Sequence, residues 1–142
     1  IWSLNTENDT INNLITYIQR QARSWLEHYP CKLQVLLPDV IPDKALNGET
    51  RRNIYLVVKE AVHNIIKHSG ADKVHIEIQC HNNFLDMTIA DNGRGIYSPA
   101  LNKSGNGMKN MKQRVKRLNG KFNTESKEGL TLHIRIPLNQ AI

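Results

Sequence analysis

A handful of side chains and two glycine pairs carry the chemistry this sequence can do. Glu60, Asn64, Lys67 and His68 share a stretch whose apolar residues recur at helical spacing. At 100° per residue, Asn64 stands about 40° from Glu60, Lys67 about 20° from it on the other side, and His68 about 80° away. Ile54, Val58, Ala61, Val62, Ile65 and Ile66 fall on the opposite half. One face suits a core; the other aligns a carboxylate, an amide and an ammonium. Standing alone, such a row is an ordinary solvated helix face. It does not stand alone. Asp91 closes an apolar strand and is followed by Gly93 and Gly95, which free the backbone to approach a ligand closely. A second pair, Gly105 and Gly107, opens a basic helix at Met108, whose first N–H groups suit an anion.

These groups need elements to hold them. Ile11, Leu14, Ile15, Ile18, Ala22, Trp25, Leu26 and Tyr29 predict a helix from about 10 to 29, capped by Thr6 or Asp9 and stopped by Pro30. A strand over Cys31–Leu37 and a loop over Pro38–Gly48 lead to the central helix, from about 49 to 68, with Gly70 as its stop. Lys73–Cys80 and Phe84–Ala90 alternate as strands around a His81-Asn82-Asn83 turn. Residues from about 97 to 106 contain Pro99 and little to bury, so they read as a mobile lid. Met108, Met111, Val115 and Leu118 stripe a further helix closed by Gly120, and 121–126 with 130–138 form a last hairpin. This order predicts an α+β two-layer sandwich, a mixed sheet with helices on one face.

The length of 142 residues suits one domain with a real core. The chain begins at Ile1 rather than Met and reads as a fragment, with 1–9 as a linker from a preceding domain. No apolar run approaches a membrane span, and no signal-peptide pattern occurs. Cys31 and Cys80 lie far apart in no metal-like spacing, and Cys80 continues the alternation of Val74, Ile76 and Ile78 as a buried small residue. A reduced, cytosolic setting fits. Of the net charge of +6, the basic share concentrates after Asn92, where no Asp or Glu occurs before Glu125. Nucleic acid is the reflex inference from such a block. With few aromatics and no reading-head motif, and with the block opening on glycine loops, a nucleotide polyphosphate accounts for part of it instead. The glycines fit neither Rossmann spacing nor a Walker-type G-K-S/T.

The segments E60-A-V-H-N64-I-I-K67-H68, D91-N-G-R-G-I96 and G105-N-G107-M resemble, in order, the N, G1 and G2 boxes of the Bergerat (GHKL) ATP-binding fold. The E-A-x-x-N-x-x-K-H-S form and short lid are similar to those of sensor histidine kinases of the nitrate- and antibiotic-sensor type. The resemblance covers residues 50 to 138. It implies a catalytic ATP-binding domain using ATP and Mg²⁺, serving a dimerisation and phospho-acceptor domain and, downstream, a response regulator. It implies a place in the cytoplasmic part of a membrane-bound sensor, with no nucleic acid partner and no membrane contact by this domain. Alternatives within the fold are an ATPase or an anti-sigma-type serine kinase; outside it stands a non-enzymatic basic interaction domain.

The resemblance also distributes roles. Asp91 accepts from the exocyclic amine of adenine, whereas guanine presents a carbonyl oxygen there. Asn64 offers an amide oxygen to Mg²⁺. Lys67 meets phosphate as a point charge, a position where a lysine also complements the helix dipole. Glu60 takes a polarising or proton-accepting role, and His68 reaches toward the phosphates. Gly93, Gly95, Ile96, Gly105, Gly107 and Met108 bring backbone to the nucleotide. One departure stands out: the family's last hairpin opens Gly-Thr, but here Gly129 is followed by Leu130, with Thr131 one place late. Either Leu130 packs near the base, or a bulge restores Thr131 to the adenine site. Acceptor histidines of this class precede an acidic residue, and none of the six here does, so the acceptor is expected on another domain.

Overall fold

A computed structural model describes residues 10–95 and 106–138. Helix α1, Ile11–Trp25, starts at Thr10, whose Oγ1 accepts the Asn13 N–H at 3.1 Å, so Thr10 and not Thr6 or Asp9 is the cap. Its buried stripe is Ile11, Leu14, Ile15, Ile18 and Ala22. The helix ends four residues earlier than periodicity predicts. Leu26 still donates to Ala22, but Glu27 donates to Ser24, and Tyr29 to Leu26, three residues back in each case. The stripe continues through turns rather than through a helix.

Strand β1, Lys32–Leu36, leads to α2, Gly48–Asn64, capped by Asn47 Oδ1 accepting the Thr50 N–H at 2.7 Å. Ile54, Val57, Val58, Ala61 and Val62 bury its inner face. The helix then widens into a π turn over Ile65–Ser69. The Ser69 hydroxyl donates to the Ile65 carbonyl at 2.7 Å and accepts the Ala71 N–H at 3.0 Å, and Gly70, at φ +65°, ends the helix left-handed as expected.

Strands β2, Lys73–His81, and β3, Phe84–Asp91, pair through Asn82 and Asn83, both at positive φ, which gives the tight turn whose twist suits a hairpin. Helix α3, Asn106–Arg117, buries Met111 and Val115 and packs on α2. Asn106 is thus helical rather than part of the expected lid; the rest of that lid, 97–105, and the linker 1–9 lie outside the described residues. Asn119, not Gly120, takes the left-handed position. Gly120 is needed for room, because a Cβ there would stand 2.5 Å from the Arg135 carbonyl. Strands β4, Lys121–Lys127, and β5, Gly129–Pro137, close the chain.

The sheet order is β1-β2-β3-β5-β4, with β1 parallel to β2 and the other pairs antiparallel. Ile76, Ile78, Leu85, Met87, Ile89, Leu132, Ile134 and Ile136 bury the face turned to the helices. Cys80 packs partly buried on that core, as its alternation predicts. The opposite face is polar: Arg135 Nε donates to Asp86 Oδ1 at 2.7 Å across the β3–β5 ladder. The fold is the expected α+β two-layer sandwich.

Candidate functional site

The site lies where β3 runs out beneath the end of α2. The alternation that buries Leu85, Met87 and Ile89 also carries Asp91 inward, where it is 8% exposed. Its Oδ1 accepts the Gly93 N–H at 2.8 Å. Burial pushes the Asp91 carboxyl above the ordinary aspartate range, and the backbone N–H groups of Gly93 and Leu130 oppose part of that rise. The chain beyond Asp91 is fastened to the π turn, since Arg94 N–H donates to the Ser69 carbonyl at 2.9 Å. A Cβ on Gly93 would collide with that carbonyl, so glycine permits the approach.

Asp91 faces a hollow of about 410 Å³, counted to its open mouth. Ala61, Ile65, Ile89, Met111, Leu130 and Leu132 wall it with apolar surface, while Asn64, His68, Ser69 and Asp91 supply polar atoms and Gly95 completes it. An apolar slot with a few convergent polar groups is how small-ligand sites are built.

The polar row on α2 does not act as one row. The first turn of α3 lies over the ridge between Glu60 and Asn64: a Cβ on Gly107 would stand 2.8 Å from Glu60 Oε2 and 3.1 Å from Asn64 Nδ2. On one side of the ridge, Asn64 and His68 line the Asp91 hollow. On the other, Glu60 and Lys67 line a groove between α2 and α3 with His63, Asn110 and Arg114. Arg114 is fixed there, donating to Asn53 Oδ1 at 3.0 Å. The 60° arc that holds Glu60, Asn64 and Lys67 together on a helical wheel is wide enough for a neighbouring helix to divide. Met108, beside Gly107, is half-buried against the core.

Thr131 does not join the site. The β3–β5 and β4–β5 ladders run without a bulge, pairing Thr131 with Ala90 and with Glu125. Leu130 therefore turns to the hollow, and Thr131 to a groove on the far face with Lys32, Lys73 and His75. Of the two alternatives, Leu130 beside the base is the one realised. Ile96 and Gly105 lie outside the described residues. Sequence reasoning gave no role to Ser69, which ends α2, lines the hollow and holds Arg94. Its signal was a serine directly before the helix-stopping glycine.

Among known proteins, the chain is 28% identical over 100 residues to the sensor histidine kinase LiaS of Bacillus subtilis, covering 69% of this chain and 28% of that protein. It is 33% identical over 96 residues to the sensor histidine kinase MctS of Rhizobium johnstonii, covering 65% and 21%. It thus spans between a fifth and three tenths of these relatives' length. Among solved structures, the histidine kinase domain of the Erythrobacter litoralis EL346 blue-light activated histidine kinase superposes with a TM-score of 0.77 at 25% identity, over 98% of this chain and 67% of that one. The catalytic domain of histidine kinase ThkA superposes at 0.68, with 19% identity, over 90% and 93%, which speaks for the fold alone. The family model described as histidine kinase-, DNA gyrase B-, and HSP90-like ATPase matches residues 49–140, from the start of α2 past the end of β5, and the chain belongs to that family.

Proposed function

We propose that this chain is the ATP-binding catalytic domain of a sensor histidine kinase, transferring the γ-phosphoryl group of ATP to a histidine on a separate dimerisation domain. A response regulator would take the phosphoryl group next, and the domain would work in the cytoplasm. The observation that carries this reading is the buried Asp91 carboxylate facing Asn64 and His68 across an apolar hollow, with Gly107 seated over Glu60 and Asn64.

The residues fit the ligand. A carboxylate keeps accepting capacity beyond two backbone N–H groups, and Asp91 uses it on the adenine amine. Leu130 and Ile89 supply apolar walls for the ring. The helix start at Gly107 and Met108 turns N–H groups to the phosphates, and glycine keeps that ground clear of side chain. Asn64 would hold Mg²⁺ through its amide oxygen, beside the Glu60 carboxylate. Among the described residues no three His, Cys, Asp or Glu side chains cluster, which suits an ion that takes few protein ligands and keeps water. ATP supplies the transferable group. The chain's own work is to orient it and to balance charge, which is most of what phosphoryl transfer requires. Glu60, on the far side of the ridge from Asp91, stands ready to accept the proton of the attacking group or to polarise it.

Calorimetric titration with ATP and GTP, with and without Mg²⁺, tests the binding half. Radiolabelled ATP, mixed with this chain alone and then with a helical segment made from the sequence immediately upstream, tests the transfer half. Expected are Mg²⁺-dependent preference for ATP and acid-labile label on the added segment only. Label on this chain by itself would overturn the separate-acceptor reading. Salt-steep DNA binding indifferent to nucleotide would favour the basic interaction domain instead.

A further inference from the structure

The registered pairing of β2 with β3 stops at Val74 and Asp91. One residue further, the sheet is continued by a side chain. Asn92 Oδ1 accepts the N–H groups of both Asp72 and Lys73, each at 3.0 Å. Its Nδ2 donates to Asp72 Oδ1 at 2.6 Å, and its own N–H reaches the Lys73 carbonyl at 3.3 Å. One exposed amide thus fastens the last turn of β3 to the first two residues before and within β2. Its neighbour Asp91 is buried.

The fastening has a specific load. A strand end with nothing beyond it frays, and a buried carboxylate gains hydration by swinging out. Side chains alternate across a strand, so a twist of one residue at this end is enough to turn Asp91 from the hollow to water. We propose that Asn92, anchored on Asp72, is the positioning residue that holds Asp91 inward at the mouth of the hollow. Asn suits the place better than Asp, because a second carboxylate would sit against that of Asp72. Its functional readout rests on the ATP-binding reading above.

The test uses this chain with Asn92→Ala, Asn92→Asp, the exchange Asp72→Asn/Asn92→Asp, and Asn92→Ala combined with Asp91→Asn. Asn92→Ala should weaken ATP binding about five- to tenfold and GTP binding much less, narrowing the preference. The exchange, which restores a donor facing an acceptor, should recover ATP affinity to within about twofold. In the Asp91→Asn background, Asn92→Ala should change ATP affinity less than about twofold, while the unfolding midpoint falls equally in both backgrounds. Equal affinity losses in both backgrounds, an unchanged ATP preference in Asn92→Ala, or an exchange that fails to rescue would each overturn the proposal. Should Asn92→Ala fail to fold, Asn92→Asp and the exchange carry the same comparison. Carboxyl NMR titration of empty protein separates this inference from the nucleotide reading. If Asn92 holds Asp91 inward, the raised Asp91 titration falls toward the ordinary range in Asn92→Ala. If it does not move, the inference fails whether or not ATP binds.

Discussion

Asp91→Asn should separate affinity from stability. The side chain keeps its shape, and the amide oxygen can still accept the Gly93 N–H now held at 2.8 Å. What changes is the second atom, which becomes an NH₂ pointed at the adenine amine, donor against donor. At a site 8% exposed, water does not repair that mismatch. Loss of one such bond costs about 1–3 kcal/mol, or roughly fivefold to over a hundredfold in the ATP dissociation constant. The empty protein responds in the other direction. Burial raises the Asp91 carboxyl above its unfolded value, so the folded chain holds a proton over pH values where the unfolded chain has released it. Stability from this group therefore declines as pH rises from the unfolded aspartate range through the raised folded value. At neutral pH the wild type carries the full cost of a desolvated charge, which the amide escapes. Asp91→Asn should melt no lower than wild type at pH 7, and its advantage should shrink as pH falls through the raised titration range. ATP binding by wild type should weaken over that same fall, as the carboxylate takes up its proton. Calorimetry at several pH values, beside thermal melts without nucleotide, measures both. A variant that binds ATP like wild type, or that melts lower at neutral pH with no pH trend, would refute the reasoning.

Three further outcomes follow from the geometry. Gly107→Ala should fold, because its methyl meets the far end of the flexible Glu60 side chain, yet bind ATP at least about tenfold more weakly; Gly129→Ala, at φ +99° and against the Asp91 backbone, should lose about 3 kcal/mol or more of stability by denaturant titration. Asn64→Ala should weaken ATP binding in Mg²⁺ far more than in EDTA, and equal losses would make Asn64 a structural residue rather than a metal ligand. Thr131→Val, on the far sheet face, should leave the ATP dissociation constant within about twofold of wild type by calorimetry, and a larger loss would place Thr131 back in the site.

Much of this architecture was legible because it is written in periodicity and turn chemistry. Alternation placed β2, β3 and β5, and it carried Asp91 to the correct face with no further information. The helical period found the buried stripes of α1 and α2, and the ordered glycine pairs located the site. Tertiary contacts decided the rest. A wheel for α2 shows Glu60, Asn64 and Lys67 as neighbours but cannot show α3 lying across the ridge between them. The Thr131 question turned on whether β5 bulges, which depends on its pairing with β3 and β4. Thr10 caps α1 while Thr6 and Asp9 do not, a choice tied to the Thr10–Ala45 bridge and to Ile11 donating to the Lys44 carbonyl. Asn92 read as an unremarked letter between an aspartate and a glycine, since its partners Asp72 and Lys73 lie about twenty residues away.

The π turn at Ile65–Ser69 bears on which changes of chain length this protein can absorb. A π turn spends one residue more than an α turn on the same circuit. Deleting a single residue there would let the ladder of α2 close as a regular helix, leaving every buried contact up to Asn64 in place. The excision would be mild for the helix and severe for the site. Everything beyond the cut would rotate by about 100° and draw back about 1.5 Å. Ser69 would then carry its carbonyl away from Arg94, and His68 would leave the hollow. By the count of backbone hydrogen bonds the extra residue is surplus; by the count of distances to Asp91 it is the one the helix cannot lose.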